Sequence, residues 1–265
     1  MVKLGKLSNL YLILVFVILY SPIAFLMYYS FNSGGTMHGF DGFTLDNYRE
    51  VFQDRRLFII VLNTLVIALL SSALATIMGI LGSLAIIAVR KARQKSTLLT
   101  LNNVLMVSPD VIIGASFLIM FTALGVQLGF VSVLLSHIAF SVPITVLMIL
   151  PRLEEMSPTL IDAARDLGAS RWNVLTKVIL PYIRSGIFAG FFMALTYSLD
   201  DFAVTFFVTG NGFSTLSVEI YSRARQGISL SINALSTLLF LFTIILVIGY
   251  YYLNQRQSRP KPEVH

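Results

Sequence analysis

Three aspartates stand in hydrocarbon-like surroundings: Asp110, directly after Ser108-Pro109, and the adjacent pair Asp200-Asp201. A carboxylate near the centre of a bilayer costs roughly 2.5–3.5 kcal/mol on insertion scales, so it is rarely kept without a function. Asp110 follows a proline break, where open backbone groups are tolerated only beside protein or a water-filled cavity. Adjacent helical residues point about 100° apart, so Asp200 and Asp201 cannot both face one lumen squarely. Helical spacing puts Tyr197, Asp201 and Thr205 on one face, and Thr196 with Asp200 on another. The nearest basic residue along that stretch is Arg184, sixteen positions from Asp200 and about 24 Å away on a helix. Ion pairing within the segment is therefore excluded. The counter-charge must come from another segment, a partner, protons, water or a cationic ligand. A flexible, multiply cationic polyamine fits spaced carboxylates with aromatic faces nearby, which Tyr197, Phe202, Phe206 and Phe117 can supply. The same residues are compatible with Asp200 and Asp201 lying hydrated near a membrane surface, since Gly210 follows closely.

Other chemistries have no residues to carry them. No G-x-x-x-x-G-K-[ST] stretch occurs to cradle nucleotide phosphates, and neither G-x-S-x-G nor H-E-x-x-H is present for a hydrolase. His38, His137 and His265 are too scattered for a metal site, and there is no cysteine to supply a thiol, a disulfide or a metal ligand. His137 falls inside an apolar stretch and reads as a packed or hydrogen-bonded helix residue. The chain is expected to be non-catalytic, with no cofactor of its own. Any energy for work comes from another subunit or from an ion gradient.

The elements that position these residues are membrane spans. Of 265 residues, 56% are hydrophobic and only 12% charged, against about a quarter charged in soluble proteins. Mean hydropathy is +0.82. The net charge of +6 does not form a nucleic-acid stripe, because the basic residues fall between apolar runs. Lys3 and Lys6 precede an apolar run at about 10–29, read as an uncleaved first helix since no small-residue cleavage pattern follows. Further spans are expected at about 58–89, 98–124 (interrupted at Ser108-Pro109-Asp110), 130–150, 182–208 and 232–253. A surface helix over 44–52 is expected from Leu45, Tyr48, Val51 and Phe52, capped at Thr44 or Asp46. A short basic tail covers about 254–265. The fold class is all-α: a polytopic membrane protein of six transmembrane helices in one domain over 1–265. Fourteen basic residues fall on the side of the termini and five on the other, which places both termini in the cytoplasm.

Between the fourth and fifth spans lies the longest polar, helix-forming passage, Ile161–Pro181, within a loop of about 151–181. Asp162, Ala163, Ala164, Arg165 and Asp166 favour a short helix. Gly168 supplies a left-handed terminus. Ser170 caps a second, amphipathic helix at 171–180 that carries Trp172, Leu175, Val178 and Ile179 and is closed or bent by Pro181.

This elbow resembles the cytoplasmic EAA coupling loop of ABC-transporter permease subunits, whose pattern is Glu-Ala-Ala, three residues, Gly, then about nine residues to Ile-x-Leu-Pro. Here it reads Asp162-Ala163-Ala164, Gly168 and Ile179-Leu180-Pro181, with Asp in place of the usual Glu. Leu45-Asp46-Asn47-Tyr48, Met106-Val107-Ser108-Pro109-Asp110, Leu124–Phe130 and Ser198-Leu199-Asp200-Asp201-Phe202 are similar to the spermidine/putrescine importer permeases of the PotC type. The resemblance implies a type I ABC importer permease-like fold in a bacterial inner or plasma membrane. It implies a heterodimer with a PotB-type permease, two PotA-type ATPases that hydrolyse ATP with Mg, and a PotD-type binding protein outside. Asp162, Ala163, Ala164, Asp166, Leu167, Gly168 and Ala169 would then couple to the ATPase, and Asp110, Asp200, Asp201 and Tyr197 would line the substrate path. A permease for another amine-containing solute, or an ATP-independent secondary transporter or channel, remain the alternatives at this stage.

Overall fold

The computed structural model describes residues 6–226 and 230–257, and within them the chain is helical, with an isolated bridge between Asn32 and Phe43. The chain divides into two compact units, Met1–Phe58 with Ile220–His265, and Ile59–Glu219.

In the first unit, α1 (Lys6–Tyr29) and α13 (Leu230–Gln257) pack together. The membrane-length part of α1 buries none of its side chains within the chain, as expected of a helix that faces lipid. The loop after α1 is built on Asn32. Its buried amide donates to the carbonyls of Thr36 (2.8 Å) and Gly39 (2.7 Å), and its Oδ1 accepts from the Asp41 amide (2.8 Å). The expected surface helix forms as α2 (Asp46–Gln53), with no buried residue. Thr44 stands one position before the cap; its hydroxyl accepts from the Asp46 amide (3.1 Å) and donates to the Asp46 carboxylate (2.8 Å). Asn47 ties α2 back by donating to the carbonyls of Ser30 (2.9 Å) and Asn32 (3.0 Å).

Asp54 then starts α3 (Arg55–Ala88) by accepting the Arg56 and Leu57 amides at Oδ1 (2.9 and 3.1 Å). Its Oδ2 accepts from Arg223 (2.8 Å) on α12 (Leu216–Gln226). Burial alone pushes the Asp54 carboxyl up, but the hydrogen bonds and charge from Arg223 and the two amides outweigh it and hold it below the usual carboxylate range.

In the second unit, α3 packs with α4 (Ala92–Val107), α5 (Asp110–Ala123), α6 (Phe130–Glu154), α10 (Arg184–Asp200) and α11 (Ala203–Val208). Ile67, Phe121, Val133 and Val208 form one buried cluster, and Ile149, Leu153 and Ile183 another. Close packing centres on Thr145 of α6, whose hydroxyl donates to the Ala75 carbonyl (3.0 Å). A Cβ at Gly79 would collide with the Thr145 side chain, and one at Gly190 would come within 3.3 Å of the Thr145 Cα. Three helix backbones thus meet at small residues, as bilayer-embedded helices do without a hydrophobic force between them.

The interruption expected at Ser108-Pro109-Asp110 forms, and the fifth span is corrected. The interruption at Ser108-Pro109 is a 102° bend that separates α4 from α5. The fifth stretch is not one helix: it bends by 68° at Ile183 and breaks again at Asp201-Phe202. Before that bend, α8 (Arg171–Val174), a π-helical turn (Leu175–Ile179) and α9 (Leu180–Tyr182) run continuously, so of the two outcomes expected at Pro181, closing or bending, the helix is not closed there and bends two residues later. The wider turn accommodates a residue without an N–H donor. Among the described residues, three helices are long and apolar enough to cross a membrane, and two bent pairs raise the number to five. The sixth expected span falls on α13, whose apolar stretch with described side chains is Leu230–Leu241. Residues 254–257 of the expected tail continue α13, while 258–265, like Lys3, lie outside the described residues.

Gly79→Ala should destabilise the folded chain by about 1–3 kcal/mol through overpacking. Gly82→Ala, whose Cβ would meet Val146 at an ordinary 3.5 Å, should be near neutral; thermal unfolding in detergent compares the two. Asp54→Ala should cost about 1 kcal/mol or more at neutral pH from the lost cap. Because the folded carboxyl is depressed, its contribution is complete above its unfolded value near pH 3.9. It disappears as pH falls through the lower folded value. The wild type and Asp54→Ala melting temperatures should therefore converge in strong acid, and a difference that persists there would contradict the assignment.

Candidate functional site

The polar loop forms the elbow that its residues specify. Pro158 opens α7 (Pro158–Asp166), which ends in a Schellman motif. Gly168 takes a φ of +81°, its amide donates to the Arg165 carbonyl (2.8 Å), and the Ala169 amide donates to Ala164 (3.0 Å). The Ser170 hydroxyl accepts from the Asn173 amide (3.3 Å) and starts the second arm. Asp162, Ala163, Asp166, Leu167 and Gly168 are exposed, with Ala164 and Ala169 half-buried. The tip leaves Leu167 89% and Trp172 70% exposed, two large apolar side chains on either side of the turn at Gly168. A Cβ at Gly168 would meet no atom within 4 Å, so the surface there is open. The base of the elbow is closed by the Tyr182 hydroxyl, which donates to the Glu155 carbonyl (3.2 Å).

The four expected path residues separate into two kinds. Asp110 opens α5 at the 102° bend, is exposed, and lies where the helix dipole favours a negative charge. The Tyr197 hydroxyl on α10 donates to its Oδ1 (3.3 Å), so two residues 87 positions apart are brought together. Tyr197 also walls a cavity of about 180 Å³ with Leu105, Met106, Ile113, Phe140 and Ile144. Phe140 meets Tyr197 edge-on with ring centroids 5.3 Å apart. Asp200 is exposed at the C-terminal end of α10.

Asp201 is different. Its side chain is 8% exposed and its carboxylate caps α11: Oδ1 accepts from the Val204 amide (3.2 Å), and Oδ2 from the Thr205 amide (2.8 Å) and hydroxyl (2.6 Å). The shared face expected for Asp201 and Thr205 is realised as a helix cap rather than as one turn of a helix. Of the other aromatics, Phe117 packs into the core, and Phe202 and Phe206 pack on each other at 5.4 Å.

Sequence reasoning placed Thr205 with Asp201 but missed Ser198, Ser71 and their link to His137. His137 is fully buried, with Nδ1 2.6 Å from the Ser198 hydroxyl and Nε2 2.8 Å from the Thr205 hydroxyl. Ser198 in turn lies 3.1 Å from the hydroxyl of Ser71 on α3. The available signal was the cost of a hydroxyl in hydrocarbon, which makes Ser and Thr within apolar helices seek partners.

Comparison with known proteins follows these features. Residues 78–259 match the family described as "Binding-protein-dependent transport system inner membrane component". The chain is 36% identical over 235 residues to the spermidine/putrescine transport system permease protein PotC of Escherichia coli (strain K12), covering 89% of each chain. It is 31% identical over 258 residues to the putrescine transport system permease protein PotI of the same strain, covering 94% of this chain and 91% of that one. Among solved structures it is similar to a chain of a bacterial ABC transporter involved in the import of the acidic polysaccharide alginate. The TM-score is 0.72 with 20% identity, covering 95% of this chain and 94% of the other, a likeness of fold.

Proposed function

We infer the function from what the chain is: it belongs to the family of binding-protein-dependent transport system inner membrane components. It is thus a multi-pass membrane permease component of an ABC importer, and not itself a catalyst. The solute in this reading is a polyamine, spermidine or putrescine. The observation that carries the polyamine assignment is the pairing of Asp110 with Tyr197 at 3.3 Å beside an apolar recess, with Asp200 also exposed. A carboxylate takes an ammonium group, while aromatic and aliphatic walls take the methylenes between ammonium groups. The likeness to relatives named for spermidine and putrescine supports the same substrate class.

In this proposal the chain acts as one permease domain beside a PotB-type permease, and a PotD-type protein delivers polyamine from outside. Two PotA-type ATPases bind and hydrolyse ATP with Mg in the cytoplasm, where the excess of basic residues puts both termini and the elbow. The exposed Leu167 and Trp172 would enter the ATPase surface, and the small residues Ala163, Ala164 and Gly168 would allow close approach. Closure of the ATPases would then move the elbow and alternate access to the path.

Vesicles that hold this chain with its partner subunits should take up labelled spermidine or putrescine only when ATP is supplied. Uptake without ATP would overturn the mechanism, and ATP hydrolysis with no polyamine uptake would overturn the substrate. Gly168→Val should leave the membrane domain folded but weaken ATPase assembly or uncouple hydrolysis from uptake, because a β-branched residue at a φ of +81° distorts the turn and adds bulk to the docking surface. A pull-down and uptake at wild-type level would refute that role. Asp110→Asn should lower uptake about tenfold, the loss of one charge-assisted contact, with assembly unchanged; unaltered uptake would remove Asp110 from the path.

A further inference from the structure

The break between α10 and α11 has no proline or glycine to enforce it; it is spanned by one histidine. His137 of α6 is 0% exposed, and its two ring nitrogens reach hydroxyls on opposite sides of the break, Ser198 on α10 and Thr205 on α11. Proton counting gives this network a direction. A hydroxyl has one proton to donate. Thr205 gives its proton to Asp201 Oδ2 at 2.6 Å, so toward His137 it can only accept, and Nε2 must carry the ring proton. With a neutral ring, Nδ1 accepts from Ser198, and the Ser71 hydroxyl shares its one proton between Ser198 (3.1 Å) and the Ala68 carbonyl (3.3 Å). The hydrogen bonds run Ser71 to Ser198 to His137 to Thr205 to Asp201, joining α3, α10, α6 and α11, with each donor pointing toward the carboxylate. Asp201 also lies 3.5 Å from Nε2.

We propose that His137 is a positioning residue of the permease path. With its proton on Nε2, it staples the end of α10 to the start of α11, fixes the chain direction at the break, and so sets Tyr197 and Asp200 relative to Asp110. This rests on the reading that those three residues face the polyamine. The role needs an acceptor and a donor on opposite edges of one rigid plane. Leucine offers neither, and lysine offers donors only and adds a charge. Two of the four acceptor positions of the Asp201 carboxylate are on Oδ2, and both are used by Thr205. Asp201 therefore anchors the break, and Asp110 and Asp200 are left to meet the cation.

The first test does not depend on the substrate. The assembled transporter in lipid, with ¹⁵N-histidine in this chain and His137→Gln as the difference spectrum, should show His137 as the neutral Nε2–H tautomer. A proton on Nδ1, or a doubly protonated ring, would overturn the directed network. The second test measures polyamine carried per ATP hydrolysed. His137→Gln, whose amide offers one acceptor and donors, should keep that ratio within about threefold of wild type, while His137→Leu should lower it about tenfold. Thr205→Val, which removes the hydroxyl contacts to Nε2 and to Asp201 but keeps the bond between Nδ1 and Ser198, should lower it by an intermediate factor and serves if the Leu variant does not assemble. Equal ratios in the Gln, Leu and Val variants, or uptake and hydrolysis falling in proportion, would reduce His137 to a packing role and overturn the proposal. The expected tautomer in a wild-type transporter that carries no polyamine would overturn the substrate reading and leave the staple standing.

Discussion

Every backbone amide and carbonyl in a hydrocarbon layer needs a partner inside the protein, and the three breaks in this chain are three solutions to that demand. At Ser108-Pro109, proline has no donor to satisfy, and the Ser108 amide and hydroxyl both return to the Val104 carbonyl (3.1 and 2.7 Å). At Ile183 the chain first widens into a π-turn and the Ile183 amide still reaches Ile179 (3.0 Å). At Asp201 a side chain supplies the acceptors that the preceding turn of helix would have given, taking the Val204 and Thr205 amides. Ionisable residues collect at these places because the backbone polarity has already brought compensating groups there. Asp110 and Asp201 each stand at the start of a helix, where the free amides and the dipole stabilise a carboxylate.

Local hydrogen bonds also hold the elbow, although it lies outside the apolar spans. Its two arms are fixed by the Schellman turn at Gly168 and the Ser170 cap, and its base by the bond from Tyr182 to the Glu155 carbonyl. Lys95 of α4 reaches Glu154 at 2.6 Å beside that base. An exposed pair of this kind adds little stability, but it joins α4, which leads to the bend at Asp110, to the end of α6. In the proposed mechanism a push on the elbow would be received by α6, which follows its base, and through the bend at Ile183 by α10, which packs on α6 at Thr145 and Gly190. Small residues at that crossing leave little slack, since a packed interface of backbones moves as a body rather than deforming locally.

What could be read from the sequence was the chemistry that acts over a few residues. Pro109, Gly168 and Ser170 each dictate a local conformation through a missing donor, a positive φ or a capping hydroxyl, and each acts at the expected place. The apolar runs gave the all-helical membrane architecture for the same reason: composition alone decides that a segment belongs in hydrocarbon. The break at Asp201-Phe202 was not legible, because Ser-Leu-Asp-Asp-Phe-Ala-Val-Thr-Phe contains no helix breaker and reads as one continuous span. It is bridged by a side chain 64 positions earlier, His137, and held by a cap that only exists once the break has formed. The π-turn at Leu175–Ile179 was equally hidden, since nothing in its residues distinguishes it from an ordinary turn. Pairings such as Asp110 with Tyr197 depend on how α5 and α10 pack, and spacing along one helix carries no information about them.

A binding carboxylate and an anchoring carboxylate make opposite demands. To hold an ammonium ion, an oxygen must keep lone pairs that the protein leaves unused; to hold a helix start, it must have them filled. Asp201 accepts two amides and a hydroxyl, and a cation that displaced these donors would have to dismantle the first turn of α11. Asp110 accepts one long hydrogen bond, 3.3 Å, from a tyrosine whose other face is apolar, and is otherwise open. Neighbouring aspartates of identical type, Asp200 and Asp201, therefore diverge in setting through geometry alone: the break leaves one exposed and turns the other inward to the network. In the proposed path the anchor would make the open pair usable, because a cation is held well only by charges whose separation the protein has already fixed.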